Sequence, residues 1–509
     1  MCSIRAILAV FLLALLAPVG AAFAQESIPT RLLIRATDAG QERAVGRLSD
    51  AGYSVAFVQE YSVFMTMLYA FDAPLAGADI PIVRTLLDDL IADSTIETGD
   101  FDVPMAVETG IGQTGSLWVT GMTESDFAQQ YGRLVTGSYV AADRATGLGV
   151  KVAIIDSGLT DGDTIARRSS LSYGYSVTGG VATQGNIPRD VGDSVGPNVG
   201  VGHGTFVSAL VACVAPSAKH LHIKVLDDEG QCFLADVIAA LEASINEYAH
   251  VANMSLIPSQ PTPTLTHAIS TARKQGIIVV ASAGNNNPTV NPYQGCEPDL
   301  IQVGATNHLD VPFSGATPAW IDIFAPGASN VPTTGLPVAS EAVIAPIGVD
   351  ANQQPIYAAA TGTSFAAAFV SGAAAAYRAA NADWPNAQVS PGQISSRFVN
   401  AARNSATPIP TGSSGAIKRL RADALVAGLP RVARCSEDPV AEEDAFGNYV
   451  YVINEVDLAC VLTSWNPLGS DPRRIVRANL SLDPENRVDA VDVAIILSLW
   501  DARAPEGCP

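Results

Sequence analysis

Positive charge is scarce in this 509-residue chain: Lys and Arg number 29 against 50 Asp and Glu, a formal net charge of −21. A nucleic acid or an anionic membrane surface would need a basic face, so both partners are disfavoured. Charged residues of either sign make up only 16 % and apolar residues 48 %, which excludes a wholly disordered chain. Aromatics are 6 %, so the core must be built largely from small side chains. No two histidines have the H-E-x-x-H spacing of a zinc hydrolase, which argues against metal-assisted hydrolysis. What the chain has in quantity is length, enough for two to four domains.

Long apolar runs are almost absent too. One occupies the N-terminus: after Arg5, residues 6–23 carry no charge, and Ala22-Phe23-Ala24 precedes Gln25 as a small-x-small cleavage site. Residues 1–24 are therefore expected to be a secretory signal peptide, and the mature protein to be secreted (medium, cell surface or periplasm) with no membrane span. A second uncharged run, residues 351–377, is Ala, Gly, Ser and Thr with Pro355 inside it. It is poor in the Leu, Ile and Val of a lipid-facing helix and reads as a buried soluble segment. Of the seven cysteines, six follow the signal: Cys213, Cys232 and Cys296 in one half, Cys435, Cys460 and Cys508 in the other. Each half holds an odd number, so either each has a free thiol or a bridge joins them.

Three textures follow one another. Residues 31–101 read as β-α-β-β-α-β, with strand patterns at 31–35, 53–59, 62–69 and 96–103 and helical spacing at 40–48 and 80–92. From about residue 116, continuous apolar strands (150–155, 222–225, 251–254, 277–281, 301–303) alternate with helices (237–248, 265–275). That alternation means a parallel sheet covered on both faces, an α/β fold. Residues 429–443 form a Pro-containing acidic linker. A repeat then follows: residues 454–465, NEVDLACVLTSW, return 35 positions later as residues 489–500, DAVDVAIILSLW. Two loop-helix units packed together are the simplest account.

Three segments of the central domain carry chemistry. Asp156 ends the strand VAIID. His203 lies in Gly-His-Gly-Thr at a helix start. Ser364 lies in Gly-Thr-Ser at another. In a parallel sheet, strand C-termini and helix N-termini share one edge, where the three side chains can converge. A Ser hydroxyl is a weak nucleophile until a base takes its proton. His203 can be that base and Asp156 can orient it. Asn285, after a strand and a Gly, can donate its amide to an oxyanion together with the Ser364 backbone N–H.

These segments resemble the subtilisin-like serine peptidases, the subtilases. The order Asp…His…Ser is the subtilisin order, with 47 residues from Asp156 to His203 and 161 from His203 to Ser364. Asn253-Met254-Ser255-Leu256 resembles the family's substrate-binding strand, Asn285 its oxyanion Asn, and Phe324-Ala325-Pro326-Gly327 a segment preceding its Ser. The likeness spans about residues 125–428. It implies cleft walls at Gly230–Cys232 and at Ser255, Leu256 and Ile257, with Ser282, Ala283 and Gly284 lining the P1 pocket. There are departures. Phe365-Ala366-Ala367-Ala368-Phe369 stands where the family usually has Met-Ala-x-Pro-His, and Ile257-Pro258 where it commonly has Gly-Gly.

Two further resemblances complete the reading. Residues 25–115 are similar to the inhibitory I9-like propeptide of many subtilases, a small ferredoxin-like α+β unit cut off between Asp102 and Gln129. Residues 444–509 resemble a dockerin, a paired EF-hand-like helical module that docks on a scaffold protein. In its second loop Ser481, Asp483, Glu485, Asp489 and Asp492 fall at ligand positions, Asn486 at the turn. Asp483, Glu485, Asp489 and Asp492 are the expected calcium ligands. The first loop has Phe446 and Val450 in place of ligands and is expected to stay empty. The expectation is a signal (1–24), a propeptide (25–115), a peptidase domain (116–428), a linker (429–443) and a dockerin-like domain (444–509). The function expected is that of a secreted serine endopeptidase, made as a self-processed zymogen and needing no cofactor for catalysis. Its partners would be protein or peptide substrates and its own propeptide. The alternative is an inactive subtilase-fold scaffold acting as a binding or docking protein.

Overall fold

A computed structural model of the chain describes residues 30–107 and 118–427, except 163, 191–200, 286–289, 314–319, 331–335, 383, 387 and 409–417, together with the pairs 442–443 and 449–450. The signal, the repeat, the expected calcium ligands and Cys435, Cys460 and Cys508 lie outside the described residues.

Residues 30–107 begin with four antiparallel strands: β1 (Arg31–Arg35), β2 (Val55–Tyr61), β3 (Thr66–Phe71) and β4 (Thr98–Phe101), in the order β2-β3-β1-β4. Helices Asp38–Asp50 and Asp79–Ala92 bury Ala44, Leu48, Val83, Leu87 and Leu90 with Leu32, Leu33 and Ile34 of β1. The β-α-β-β-α-β order expected from the pattern is the order found. The middle hairpin differs in detail. Residues 62–64 form a 3₁₀ turn, and Met65 has a left-handed φ of 52°. Apolar Val63 and Met65 mimic strand alternation there, while the buried ring of Phe64 fills the space beneath the reversal. The last strand is also shorter than the apolar run, because beyond Phe101 the chain leaves its own sheet. As β5 (Pro104–Ala106) it pairs elsewhere.

The central domain is laid on a ten-stranded sheet. In chain order, β6 (Val119–Met122) precedes β7 (Lys151–Asp156), β8 (Tyr173–Thr178), β9 (Val181–Asn186), β10 (Lys219–Lys224), β11 (Gln231–Phe233) and β12 (Val251–Met254). Then come β13 (Ile257–Pro258), β14 (Ile278–Ser282), β15 (Leu300–Thr306), β16 (Ile323–Pro326), β17 (Val343–Val349), β18 (Pro355–Ala360), β19 (Thr407–Pro408) and β20 (Lys418–Arg419). The main sheet runs β19-β20-β16-β15-β14-β12-β7-β10-β8-β9. Every neighbouring pair from β20 to β8 is parallel, and only the outermost pair at each end is antiparallel. β6, β17 and β18 form a separate three-stranded sheet. β12, β14 and β15 are buried along their whole length, as unbroken apolar runs between two helical layers must be.

The small side chains of the core are concentrated in the helix Thr363–Ala380. It is buried on nearly all sides and lies against the wholly buried helix His203–Val214. At the crossing, a Cβ on Gly372 would stand 2.8 Å from the Val211 carbonyl oxygen and 2.7 Å from Val214 Cβ. Only glycine allows this approach. The segment at 351–377 is thus a β-strand and a core helix, with an exposed tip at residues 351–354. No helix among the described residues is long and apolar enough to cross a membrane. Cys213, Cys232 and Cys296 are buried, unbridged thiols.

Candidate active site

β7 delivers Asp156 at its last residue, and the helix that starts at His203 delivers the imidazole above it. His203 Nδ1 lies 2.7 Å from Asp156 Oδ1, with both side chains buried. A carboxylate can only accept, so the ring proton of this bond sits on Nδ1, leaving Nε2 as the basic nitrogen. Nε2 is buried and has no hydrogen-bond partner in the structure. The glycines around His203 are required by geometry. Gly202 has φ 84°, and a Cβ on Gly204 would meet the Gly158 carbonyl oxygen at 2.3 Å.

Ser364 is the second residue of its helix, so its N–H belongs to the first turn and has no intrahelical acceptor. Its Oγ donates to the Ser255 carbonyl at 3.1 Å, and Ser255 Oγ donates back to the Ser364 carbonyl at 3.0 Å. The serine is thus brought to the site but bonded to β12's exit rather than to His203. Hydrogen bonds of catalytic groups are often loose before substrate arrives. Asn253, expected in the substrate-binding strand, and Ser371, given no role from sequence, hold this arrangement. Asn253 Nδ2 donates to Ser255 Oγ at 2.9 Å, and Ser371 Oγ donates to Asn253 Oδ1 at 2.8 Å. Ser371 lies two turns beyond Ser364 on the same helix, a spacing that could have signalled it.

Asn285 sits beside the same helix start. Its Oδ1 accepts from Thr363 N at 2.9 Å and from Thr363 Oγ1 at 3.1 Å, so its amide nitrogen faces the other way, toward Gly362. Thr363 Oγ1 also accepts from Gly284 N at 3.2 Å, tying the 282–284 segment to the serine loop. The Phe324–Gly327 segment supports the loop from below, with Gly362 N donating to the Gly327 carbonyl at 2.7 Å. Phe365 packs on the His203 ring, with centroids 5.6 Å apart, and on Phe206 at 4.5 Å. The departure at residue 365 therefore fills the floor behind the imidazole.

The two expected cleft walls face each other across an occupied gap. β5 lies between β11 and β13 as the middle of three antiparallel strands. Met105 pairs with Cys232 on one side and Pro258 on the other, and Ala106 with Gln231 and Ile257. Val107 N donates to the Gly230 carbonyl at 2.9 Å. Gly230, Ser255, Leu256 and Ile257 are all buried, as are Ser282, Ala283 and Gly284. Ile257-Pro258 thus forms the strand edge where a more open Gly-Gly was the family expectation.

Two carboxylates of the N-terminal unit cap helices of the central domain. Asp102 Oδ1 accepts from Ala235 N at 2.7 Å, at the start of helix Leu234–Asn246. Asp100 Oδ2 accepts from Thr264 N at 2.9 Å and from its Oγ1 at 2.6 Å, at the start of helix Pro263–Lys274. Burial raises the Asp102 carboxyl to about 6 against the opposing pull of Arg31. Val63 N donates to Glu242 Oε1 at 2.9 Å.

Comparison with known proteins gives the family. The Subtilase family profile matches residues 147–416. Subtilisin BL of Lederbergia lenta is 32 % identical over 256 residues, which cover 48 % of this chain and 81 % of that protein. The chain belongs to the subtilase family. It is a serine peptidase, a hydrolase that cleaves peptide bonds. An alkaline protease of Shouchella clausii is equally identical over 58 % of its length. In fold, this subtilase resembles fervidolysin of Fervidobacterium pennivorans, described as a keratinolytic enzyme related to subtilisin. The TM-score is 0.56 at 19 % identity, over 82 % of this chain and 64 % of fervidolysin.

Proposed function

We propose that this subtilase is a secreted endopeptidase made as a self-processed zymogen. Ser364 attacks the peptide carbonyl. His203 takes the serine proton through Nε2 and returns it to the leaving amine. Asp156 keeps the imidazole in the Nδ1–H tautomer and stabilises the imidazolium. The Asn285 amide and the Ser364 N–H hold the tetrahedral oxyanion. An acyl-enzyme follows and is hydrolysed by water. For Ser364 to give its proton to Nε2, its hydroxyl must first leave the Ser255 carbonyl.

The observation that carries the reading is β5. A stretch of the chain's own backbone lies extended between the two walls where a substrate strand would lie. Its register descends toward the serine: Met105 is opposite Pro258 and Ala106 opposite Ile257. Ser255, two residues before Ile257, is the residue in contact with Ser364. With Ala106 already opposite Ile257, two residues from Ser255, the cut is expected beyond β5, inside the 102–129 window set by the sequence. Residues 25–115 would then be the propeptide, blocking the cleft with β5 and gripping it through Asp100 and Asp102. A named relative, the minor extracellular protease Epr of Bacillus subtilis, is 30 % identical over 173 residues, which supports export. The N-terminal signal supports it as well. Residues 444–509 would anchor the enzyme to a scaffold protein, with Asp483, Glu485, Asp489 and Asp492 around calcium. A calcium titration of the melting of the full chain tests that last part.

The deciding experiment is intact mass and N-terminal sequencing of wild type beside Ser364→Ala. Wild type is expected to begin at a residue between Asp102 and Gln129 and the variant to keep the preceding segment. Retention of that segment in both, with no labelling by a fluorophosphonate probe, would overturn the reading in favour of an inactive scaffold.

A further inference from the structure

The sequence places glycine on both sides of His203, and both glycines are fixed by sterics. No side chain at either position can brace the imidazole from its own segment. The bracing comes instead from the loop that follows β9. Asp190, buried at 2 % exposure, turns its Oδ2 toward two donors: the Gly202 N–H at 2.7 Å and the Ser157 hydroxyl at 2.8 Å. Ser157 Oγ in turn accepts from the Gly204 N–H at 2.9 Å. Ser157 N donates to Asp156 Oδ1 at 2.7 Å, the same oxygen that accepts from His203 Nδ1. Asp190 is itself pinned, its N–H donating to the Leu159 carbonyl at 2.9 Å.

We propose that Asp190 is a positioning residue for peptide hydrolysis: through Ser157 it clamps the segments bearing Asp156 and His203 at their bonding distance. The proposal rests on the triad reading above. One carboxylate reaches the N–H groups on both sides of His203, one directly and one through a hydroxyl. It also reaches the residue that follows Asp156. The clamp fixes distance and ring orientation together, on which acid–base catalysis depends steeply. It also places a second buried carboxylate at the residue before His203. The charged groups that face it are Asp156 on β7 and Lys224 on β10, whose Nζ donates to the Ser157 and Leu226 carbonyls, each at 2.8 Å. Its neighbour Arg189 is turned outward to Asp161. Burial raises the Asp190 carboxyl to about 6. Above that pH its charge favours the imidazolium formed as His203 takes the proton, and below it the clamp weakens.

The test compares wild type, Asp190→Asn, Ser157→Ala and the double variant on a chromogenic peptide. All are matured by trace wild-type enzyme, with Ser364→Ala treated alike as the blank. Asp190→Asn keeps the shape and removes the charge. Its kcat is expected to fall about 10- to 100-fold with KM within twofold, and the acid limb of kcat to move to lower pH. Ser157→Ala keeps the carboxylate, breaks the link, and should lose kcat in the same direction. The double variant should be no worse than the poorer single, because the two act as one unit. Should Asp190→Asn fail to fold, Ser157→Ala carries the test alone through its kcat-against-KM split. Unchanged kcat and pH profile in a folded Asp190→Asn, or losses that multiply in the double, would overturn the clamp. Hydrolysis surviving in Ser364→Ala above the trace enzyme would instead overturn the triad reading on which it stands.

Discussion

The central domain and the N-terminal unit are held by different physics. Inside the central domain, parallel strands are apolar on both faces and two helices meet at a glycine. Its stability is hydrophobic burial and tight packing, which does not come apart in pieces. The joint to residues 30–107 uses apolar contact too, for Met105 and Val103 share a cluster with Leu256 and Ile257. Its specific ties, however, include two carboxylate caps, the Val63–Glu242 hydrogen bond and one short strand paired on both sides. Caps of this kind are worth about 0.5–2 kcal/mol each. A unit joined that way can grip in register and still be shed once the chain is cut. On the proposed zymogen reading, the difference separates an interface built to last from one built to be released.

The largest effect expected is the loss of that release. Ser364→Ala should reduce peptide hydrolysis by about 10⁴-fold or more and leave the N-terminal unit attached, read by intact mass. A Ser364→Ala protein that still sheds the unit would break the link between site and joint.

Acid should act oppositely on the two regions. His220 and His222, fully buried on β10, are pushed down to about 3 and about 4 by burial. Each hydroxyl partner, Ser208 for His220 and Ser170 for His222, serves the neutral ring. The unfolded chain takes protons near 6.5 that the folded domain refuses. The stability they contribute is whole above about 6.5 and is lost as pH falls toward 4, by several kcal/mol on the scale of about 1.4 kcal/mol per pKa unit. Asp102 has the reverse sign. Its docked pKa of about 6 lies above its free value, so docking is favoured in acid and weakened as pH rises through 6. Calorimetry of uncut Ser364→Ala protein from pH 4 to 8 should show the central domain melting lower in acid. Replacing His220 and His222 by Gln should flatten that slope.

A packing change sharpens the contrast. Gly372→Ala forces a methyl against the Val211 carbonyl and should cost about 1–3 kcal/mol in the central domain alone, seen as a lowered Tm with the joint intact. The smallest effect is Asp102→Ala. In uncut Ser364→Ala protein it should lose about 0.5–2 kcal/mol at the joint and leave the Tm of the central domain unchanged. Faster labelling of Cys232, which is buried and pairs with Met105, would report it.

Much of the site was legible because its chemistry is written in contiguous motifs. Asp156, His203, Asn285 and Ser364 each sit at the end of a strand or the start of a helix, and the α/β pattern brings such positions to one edge. The supporting residues were not legible. Asp190 lies in a loop without a motif, and nothing in its neighbours marks it as facing Gly202. Asn253 was read as part of a substrate-binding strand, yet its amide serves Ser255 and Ser371. The hairpin at residues 61–66 was misjudged because alternating apolar residues fit a strand and a 3₁₀ reversal equally well locally. The shortened β4 has a non-local cause: residues 104–106 find their partners about 130 and 150 positions away.

By itself the sequence determined the fold class, the order of elements and the family, because hydrophobic period and glycine-bracketed motifs are local properties of the chain. Only the tertiary structure decided three other things. The serine hydroxyl rests on the Ser255 carbonyl, the Asp190 carboxylate faces both flanks of His203, and residues 104–106 occupy the gap between the cleft walls. Each of these depends on contacts between distant residues, and the free energy of such a contact appears only when the segments are folded against one another.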